Sequence, residues 1–147
     1  VAPFVVYSDN PLYNVKDVFN AILVRGDMLG DVMFYGKGAG SLPTASAVVS
    51  DVVDAVKRQG YTAKIHWSDE QRIIGGSEAF TTPYFVRVSG NGEELKAKII
   101  EAFGEVEYID ADTDKEEIAF ITKILSGSEY EQAAKGFDVI SRIRVSK

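Results

Sequence analysis

The residues with the most chemistry in their types and spacing lie between positions 36 and 44. Gly36-Lys37-Gly38-Ala39-Gly40 places three glycines in five residues. Such a run is expected to be neither strand nor helix interior, and it implies positive φ angles or the close approach of another group. Ser41-Leu42-Pro43-Thr44 then opens a helix, with Ser41 or Thr44 as its expected N-cap and Pro43 tolerated in the first turn. Glycines before a helix bare backbone N–H groups, and the helix N-terminus adds partial positive charge, so a phosphate or nicotinamide-ribose oxygen can dock there. A tight strand-to-helix turn with a purely structural purpose has the same composition, and the motif alone leaves both readings open. It is not the full dinucleotide fingerprint, because no acidic residue ends a following strand about 20 residues on. Lys37 is either a phosphate contact or an exposed turn lysine.

The other reactive side chains carry less. His66 is the only histidine, beside Trp67, and has no neighbour at metal-ligand spacing. Asp110, Asp112, Asp114, Glu116 and Glu117 alternate through a turn without the twelve-residue calcium loop and its central glycine, which reads as a solvated hairpin. Ser46 and Ser50 lack a histidine to activate them. No catalytic residue and no metal ligand is expected from these residues.

Composition narrows the classes further. The chain has 147 residues, 46% hydrophobic and 26% charged, which is globular and suits one domain or two small ones. A net charge of −6 without a Lys/Arg cluster argues against a nucleic-acid partner, which needs a basic footprint. No apolar run approaches the roughly 18 residues of a membrane span. The absence of cysteine removes disulfides and thiolate chemistry and fits a reducing cytosol, so a cytoplasmic location is expected. Val1-Ala2-Pro3-Phe4-Val5-Val6-Tyr7 reads as an apolar strand entered midway, from which a cut out of a longer chain is expected.

The elements that must position the glycine turn follow from patterning. Asp9-Asn10-Pro11 is turn chemistry. Val18 to Val24 and Gly30 to Tyr35 are expected to form a β-hairpin around Arg25-Gly26-Asp27. The helix after the turn repeats Ala45, Val48, Val49, Val52, Val53 and Val56 at spacings of three and four, leaves Asp51, Asp54 and Lys57 outward, and stops at Gly60. Residues 61–81 read as a linker, with Lys64-Ile65-His66-Trp67 as a possible short strand. From there a strand (Tyr84–Val88), a helix (Glu93–Phe103, burying Leu95, Ile99 and Phe103), strands Val106–Ile109 and Ile118–Ile124, a helix Ser128–Phe137 and a strand Val139–Val145 are expected. The order β-α-β-β-α-β matches a ferredoxin-like unit: a four-stranded antiparallel sheet with both helices on one face.

The string Phe34-Tyr35-Gly36-Lys37-Gly38-Ala39-Gly40-Ser41-Leu42-Pro43-Thr44-Ala45-Ser46-Ala47-Val48-Val49-Ser50-Asp51 resembles the C-terminal signature of the homoserine dehydrogenases. Asn10-Pro11-Leu12, Val18-Phe19-Asn20-Ala21-Ile22 and Gly26-Asp27 resemble the segment leading into it, so the likeness covers roughly residues 3–58. It implies an α+β fold: residues 1–60 as the C-terminal part of the catalytic region (hairpin, glycine turn, helix), 61–81 as linker, and 82–147 as a ferredoxin-like ACT regulatory domain. It implies NAD(P)-dependent interconversion of L-homoserine and L-aspartate 4-semialdehyde, on the route to threonine and methionine. Gly40, with Gly38 and Ala39, is then the cofactor contact in the full-length enzyme, none being expected on this piece alone, whose catalytic residues would lie elsewhere.

The resemblance further implies an amino-acid effector such as threonine at the loop before the first helix of the ACT domain, with Asn91 and Gly92 as candidate contacts. That loop, Ser89-Gly90-Asn91-Gly92-Glu93, departs from the usual pattern in lacking its proline and preceding acidic residue. A working effector site and a purely structural or dimerising ACT domain both remain open. A homodimer through the ACT domain or strand edges is expected. The rival reading is a free-standing amino-acid-binding ACT protein whose N-terminal half only docks a partner.

Overall fold

The computed structural model describes residues 1–61, 64–71, 73, 75–110 and 116–146. Its elements in order are β1 (Phe4–Val6), β2 (Phe19–Gly26), β3 (Gly30–Lys37), α1 (Ser41–Lys57), β4 (Thr81–Thr82), β5 (Tyr84–Ser89), α2 (Glu93–Phe103), β6 (Val106–Ile109), β7 (Glu117–Thr122), β8 (Leu125–Ser126), α3 (Gly127–Ala133) and β9 (Val139–Ser146). The chain falls into two units: Ser8–Arg72, and Val1–Tyr7 with Ile73–Lys147. This differs from the expected division at residues 60 and 82. The reason is β1, which runs parallel to β9 in the register Phe4↔Arg144, Val5↔Val145, Val6↔Ser146 and so belongs to the second unit's sheet.

That sheet has the order β1-β9-β5-β7-β6. Without β1 it is the antiparallel arrangement expected from the β-α-β-β-α-β pattern, with the first strand (β5) between the last (β9) and the third (β7). Strand periodicity decides the two faces. Tyr84, Val86 and Val88 alternate onto one face of β5, opposite Phe120 and Ile118 of β7, and are buried there. Ile99 and Phe103 of α2 and Tyr130 of α3 join the same core, so both helices cover that face. Leu95, expected to be buried with them, is only partly so and packs at the core's margin.

Several boundaries move for identifiable reasons. The strand expected to reach Ile124 ends at Thr122, whose hydroxyl oxygen accepts the Tyr84 N–H at 3.0 Å and donates to the Lys123 carbonyl at 2.7 Å. Leu125–Ser126 instead pairs with Thr81–Thr82 as a separate two-stranded ribbon. The helix expected over Ser128–Phe137 is shorter because the chain leaves α-geometry after Ala134 and turns at Gly136, φ 95°. Its start is a capping box: the Ser126 hydroxyl accepts the Glu129 N–H at 3.2 Å, and Glu129 accepts the Ser126 N–H at 2.7 Å. Lys64-Ile65-His66-Trp67 is not a strand, and Trp67 is exposed. Of the acidic turn, Asp112 and Asp114 lie outside the described residues.

Candidate functional site

In the unit Ser8–Arg72, β2 and β3 form the expected hairpin, paired from Phe19↔Lys37 at its open end to Gly26↔Gly30 at its tip. Arg25 and Gly26, expected in the turn, belong to the strand. The Arg25 guanidinium is bidentate on Asp31, at 2.9 Å and 3.2 Å, and locks the register there. That hydrogen bond holds the Asp31 carboxyl below its ordinary range and raises the arginine. At the open end the Phe19 and Tyr35 rings stack with centroids 4.9 Å apart, and Lys37 Nζ sits 5.8 Å from the Phe19 ring centroid. Two strands with fixed register thus deliver the chain to the turn.

The glycine run divides into three different positions. Gly36 and Lys37 are strand residues, contrary to the expectation for the whole run, because Gly36 pairs with Asn20 and Lys37 with Phe19. A Cβ on Gly36 would meet nothing within 4 Å. At Gly38 a Cβ would lie 2.5 Å from Asn20 Nδ2, so this glycine accommodates its own hairpin's side chain. Gly40 has φ 121° and ψ 152°, a conformation essentially restricted to glycine. It is also the N-cap of α1, in place of Ser41 or Thr44, and a glycine brings no side chain to satisfy the first-turn amides. Gly38, Ala39 and Gly40 therefore come together as exposed backbone leading into an uncapped helix of 17 residues. Asn20 is the residue the motif did not reveal; its strand position directly opposite the run was the available signal.

The helix that follows fits its expected bounds, with Lys57 in the last turn and Gly60 at φ 81° just beyond. No residue of α1 is buried, and Val48, Val49, Val52, Val53 and Val56 are all exposed. Ser46 and Ser50 lie on this helix and are exposed, as is His66. No group of three or more His, Cys, Asp or Glu capable of holding a metal ion occurs among the described residues. No helix among them is long and apolar enough to cross a membrane.

In the other unit the loop after β5 is fastened at its start. The Ser89 N–H donates to the Asp138 carbonyl and the Gly90 N–H to the Glu116 carbonyl, both at 2.9 Å. Asn91 and Gly92 are exposed beyond these anchors, and Gly92, φ 95°, is the N-cap of α2 without a side-chain cap. Arg87, on the sheet face away from the helices, is bidentate on Glu117, whose side chain is only 2% exposed.

A family model described as homoserine dehydrogenase matches residues 1–53, which hold the hairpin, the glycine turn and most of α1. The homoserine dehydrogenase of Synechocystis is 59% identical over 89 residues, 60% of this chain and 19% of its own length. That of Helicobacter pylori is 42% identical over 94 residues, 64% of this chain and 22% of its own. Its relatives are homoserine dehydrogenases.

Homoserine dehydrogenases also supply the structural likenesses, which extend well past the family model. A crystal structure of the enzyme from Thiobacillus denitrificans matches 99% of this chain with a TM-score of 0.78 at 26% identity. One from S. aureus matches 97% with a TM-score of 0.67 at 30% identity. The chain spans 38% and 36% of those two chains, respectively. The homologues are oxidoreductases, and this chain corresponds to part of them.

Proposed function

We propose that this chain is the C-terminal, regulatory-domain-bearing portion of an NAD(P)-dependent homoserine dehydrogenase, interconverting L-homoserine and L-aspartate 4-semialdehyde in the complete enzyme. The observation that carries the reading is the turn Gly38-Ala39-Gly40. It offers exposed backbone carrying nothing larger than the Ala39 methyl at the start of a helix without a side-chain cap, within the segment the family model matches. The donor set fits a dinucleotide: backbone N–H groups and a positive helix end suit phosphate and ribose oxygens. When bound, the nicotinamide supplies the hydride acceptor or donor. This chain's own contribution is positional, since Gly40, Ala39 and Gly38 present backbone where any larger side chain would stand in the way.

The acid–base residues and the rest of the cofactor pocket then belong to the remainder of the enzyme. The small share of each relative that the chain spans supports this, as do the five exposed valines on α1, a stripe that water disfavours. The same stripe and the family match weigh against a free-standing regulatory protein. Residues 82–147 act in this reading as the ACT domain, supported by the sheet order and the two helices on one face. Sheet edges at β1 and β6 are the surfaces through which a homodimer would pair. An amino-acid effector such as threonine completes the regulation, and the cysteine-free composition supports a cytoplasmic setting.

The full-length enzyme provides the test. It should reduce L-aspartate 4-semialdehyde with NADPH or NADH, while the 147-residue chain alone does not. A full-length protein inert with both nucleotides would overturn the assignment.

A further inference from the structure

The chain has four asparagines, and their surroundings differ in ways that decide the fate of the side-chain amide. An asparagine is chemically labile when the main-chain nitrogen of the next residue can attack its Cγ. That attack needs a free N–H on the nitrogen, little bulk beside it and a backbone free to rotate. Asn10 precedes Pro11, which has no N–H, and its side chain accepts the Leu12 N–H at 2.9 Å. Asn14 precedes the β-branched Val15, whose N–H donates to the Leu12 carbonyl at 3.1 Å. Asn20 is held in β2 opposite Gly36, and Ala21 after it is paired with Tyr35. Asn91 escapes all of these restraints. It is exposed between Gly90, φ 108°, and Gly92, φ 95°. Neither its side chain nor the Gly92 N–H makes a hydrogen bond among the described residues.

We infer that Asn91-Gly92 is a self-modification site, at which the Gly92 nitrogen converts the Asn91 amide into a carboxylate without an enzyme. The Gly92 N–H gives its proton to hydroxide, and the nitrogen forms a bond to Asn91 Cγ. The Cγ–Nδ2 bond breaks, Nδ2 takes a proton from water and leaves as ammonia, and a cyclic succinimide remains. Water then opens the ring. Addition at Cγ breaks the new bond and gives aspartate in the original main chain. Addition at the main-chain carbonyl carbon breaks its bond to the Gly92 nitrogen and gives isoaspartate, with the chain running through the former side chain. Nothing is oxidised or reduced, and water and hydroxide are the only co-reactants.

The two products act differently on α2. Aspartate sets a carboxylate one residue before the N-cap Gly92, where the helix dipole favours it. Isoaspartate adds a carbon to the main chain between two anchors. These are the Gly90 N–H on the Glu116 carbonyl at 2.9 Å and the Gly92 carbonyl that accepts the Lys96 N–H at 3.2 Å. The longer path strains both bonds, so the first turn of α2 opens more readily.

The test is to incubate the 147-residue chain at neutral and mildly alkaline pH and follow each asparagine by peptide mass spectrometry with an isoaspartate assay. Asn91 is expected to convert roughly tenfold or more faster than Asn14 and Asn20, to speed up with hydroxide, and to yield both products. The other asparagines serve as controls within the same folded molecule. Equal rates at all of them, or aspartate forming without isoaspartate, would overturn the inference. So would a rate at Asn91 that rises more than about tenfold in urea, since the folded loop would then be protecting it. The isoaspartate form, separated by chromatography, should exchange its Lys96 amide proton faster than the parent chain, whereas Asn91→Asp should not. Equal exchange in the parent and isoaspartate forms would contradict the effect drawn for α2.

Discussion

At the scale of single residues, the three glycines of the run are not equivalent, and the difference makes the site testable. Gly36 lies in ordinary strand geometry with free space at its Cβ, whereas Gly40 occupies a conformation that L side chains rarely adopt. In the full-length enzyme, Gly40→Ala is expected to raise the KM for NAD(P)H about tenfold, while Gly36→Ala leaves it unchanged. Steady-state kinetics of the two variants at saturating L-aspartate 4-semialdehyde measure this. An equal effect of both would remove the turn from the cofactor site. The need for glycine was legible in the sequence for Gly40, the one residue of the run with a positive φ, but not the strand character of Gly36 and Lys37. That Gly38 answers to Asn20 was not legible either, because the contact crosses the hairpin and needs its register. The expected Ser41 or Thr44 cap failed for a related reason: once Gly40 takes its positive φ, it already occupies the N-cap position.

The Ser126 backbone N–H, and then its hydroxyl, hold the Glu129 carboxyl below the ordinary glutamate value. A carboxylate depressed in the folded state contributes stability above its unfolded pKa and loses it as pH falls through the folded value. Glu129→Gln should therefore make stability less sensitive to pH in the acid range below about 4.5, measured by urea unfolding at a series of pH values. Ser126→Ala should cost about 1 kcal/mol at neutral pH through the lost cap. An unaltered acid slope in Glu129→Gln would show that the capping box contributes nothing to it.

Among the elements, those whose pattern is decided by burial were readable and those decided by neighbours were not. The spacing of Ile99 and Phe103 placed α2 within its observed bounds, since one buried stripe suffices to define an amphipathic helix. The alternation of Tyr84, Val86 and Val88 likewise identified β5. The parallel addition of β1 to β9 was invisible, because pairing strands about 140 positions apart leaves no local trace. The break at Thr122 was hidden too, being made by one side-chain hydroxyl in an otherwise apolar run. Phe103 is 2% exposed and touches the rings of Phe120, Tyr130 and Phe137, so it joins α2 to β7, α3 and the turn after α3. Phe103→Ala should cost about 3–5 kcal/mol in denaturant unfolding. A loss below 1 kcal/mol would mean that the helices do not share one core.

For the molecule as a whole, the two units differ in how well they are internally packed. The unit containing the five-stranded sheet holds the buried core, whereas no residue of α1 is buried. The sheet's two edges, β1 and β6, are unpaired within the described chain, and the proposed dimer would cover them. Light scattering of the 147-residue chain at high micromolar concentration should give twice the monomer mass. A strictly monomeric mass would count against pairing through these edges.

In the proposed function, the backbone of Gly38, Ala39 and Gly40 lies against the nicotinamide dinucleotide of the assembled dehydrogenase. A crystal structure of the full-length enzyme with NAD(P) bound tests it most directly. Cofactor atoms are expected within hydrogen-bonding or van der Waals distance of that segment. A bound cofactor with the segment remote from every one of its atoms would contradict it.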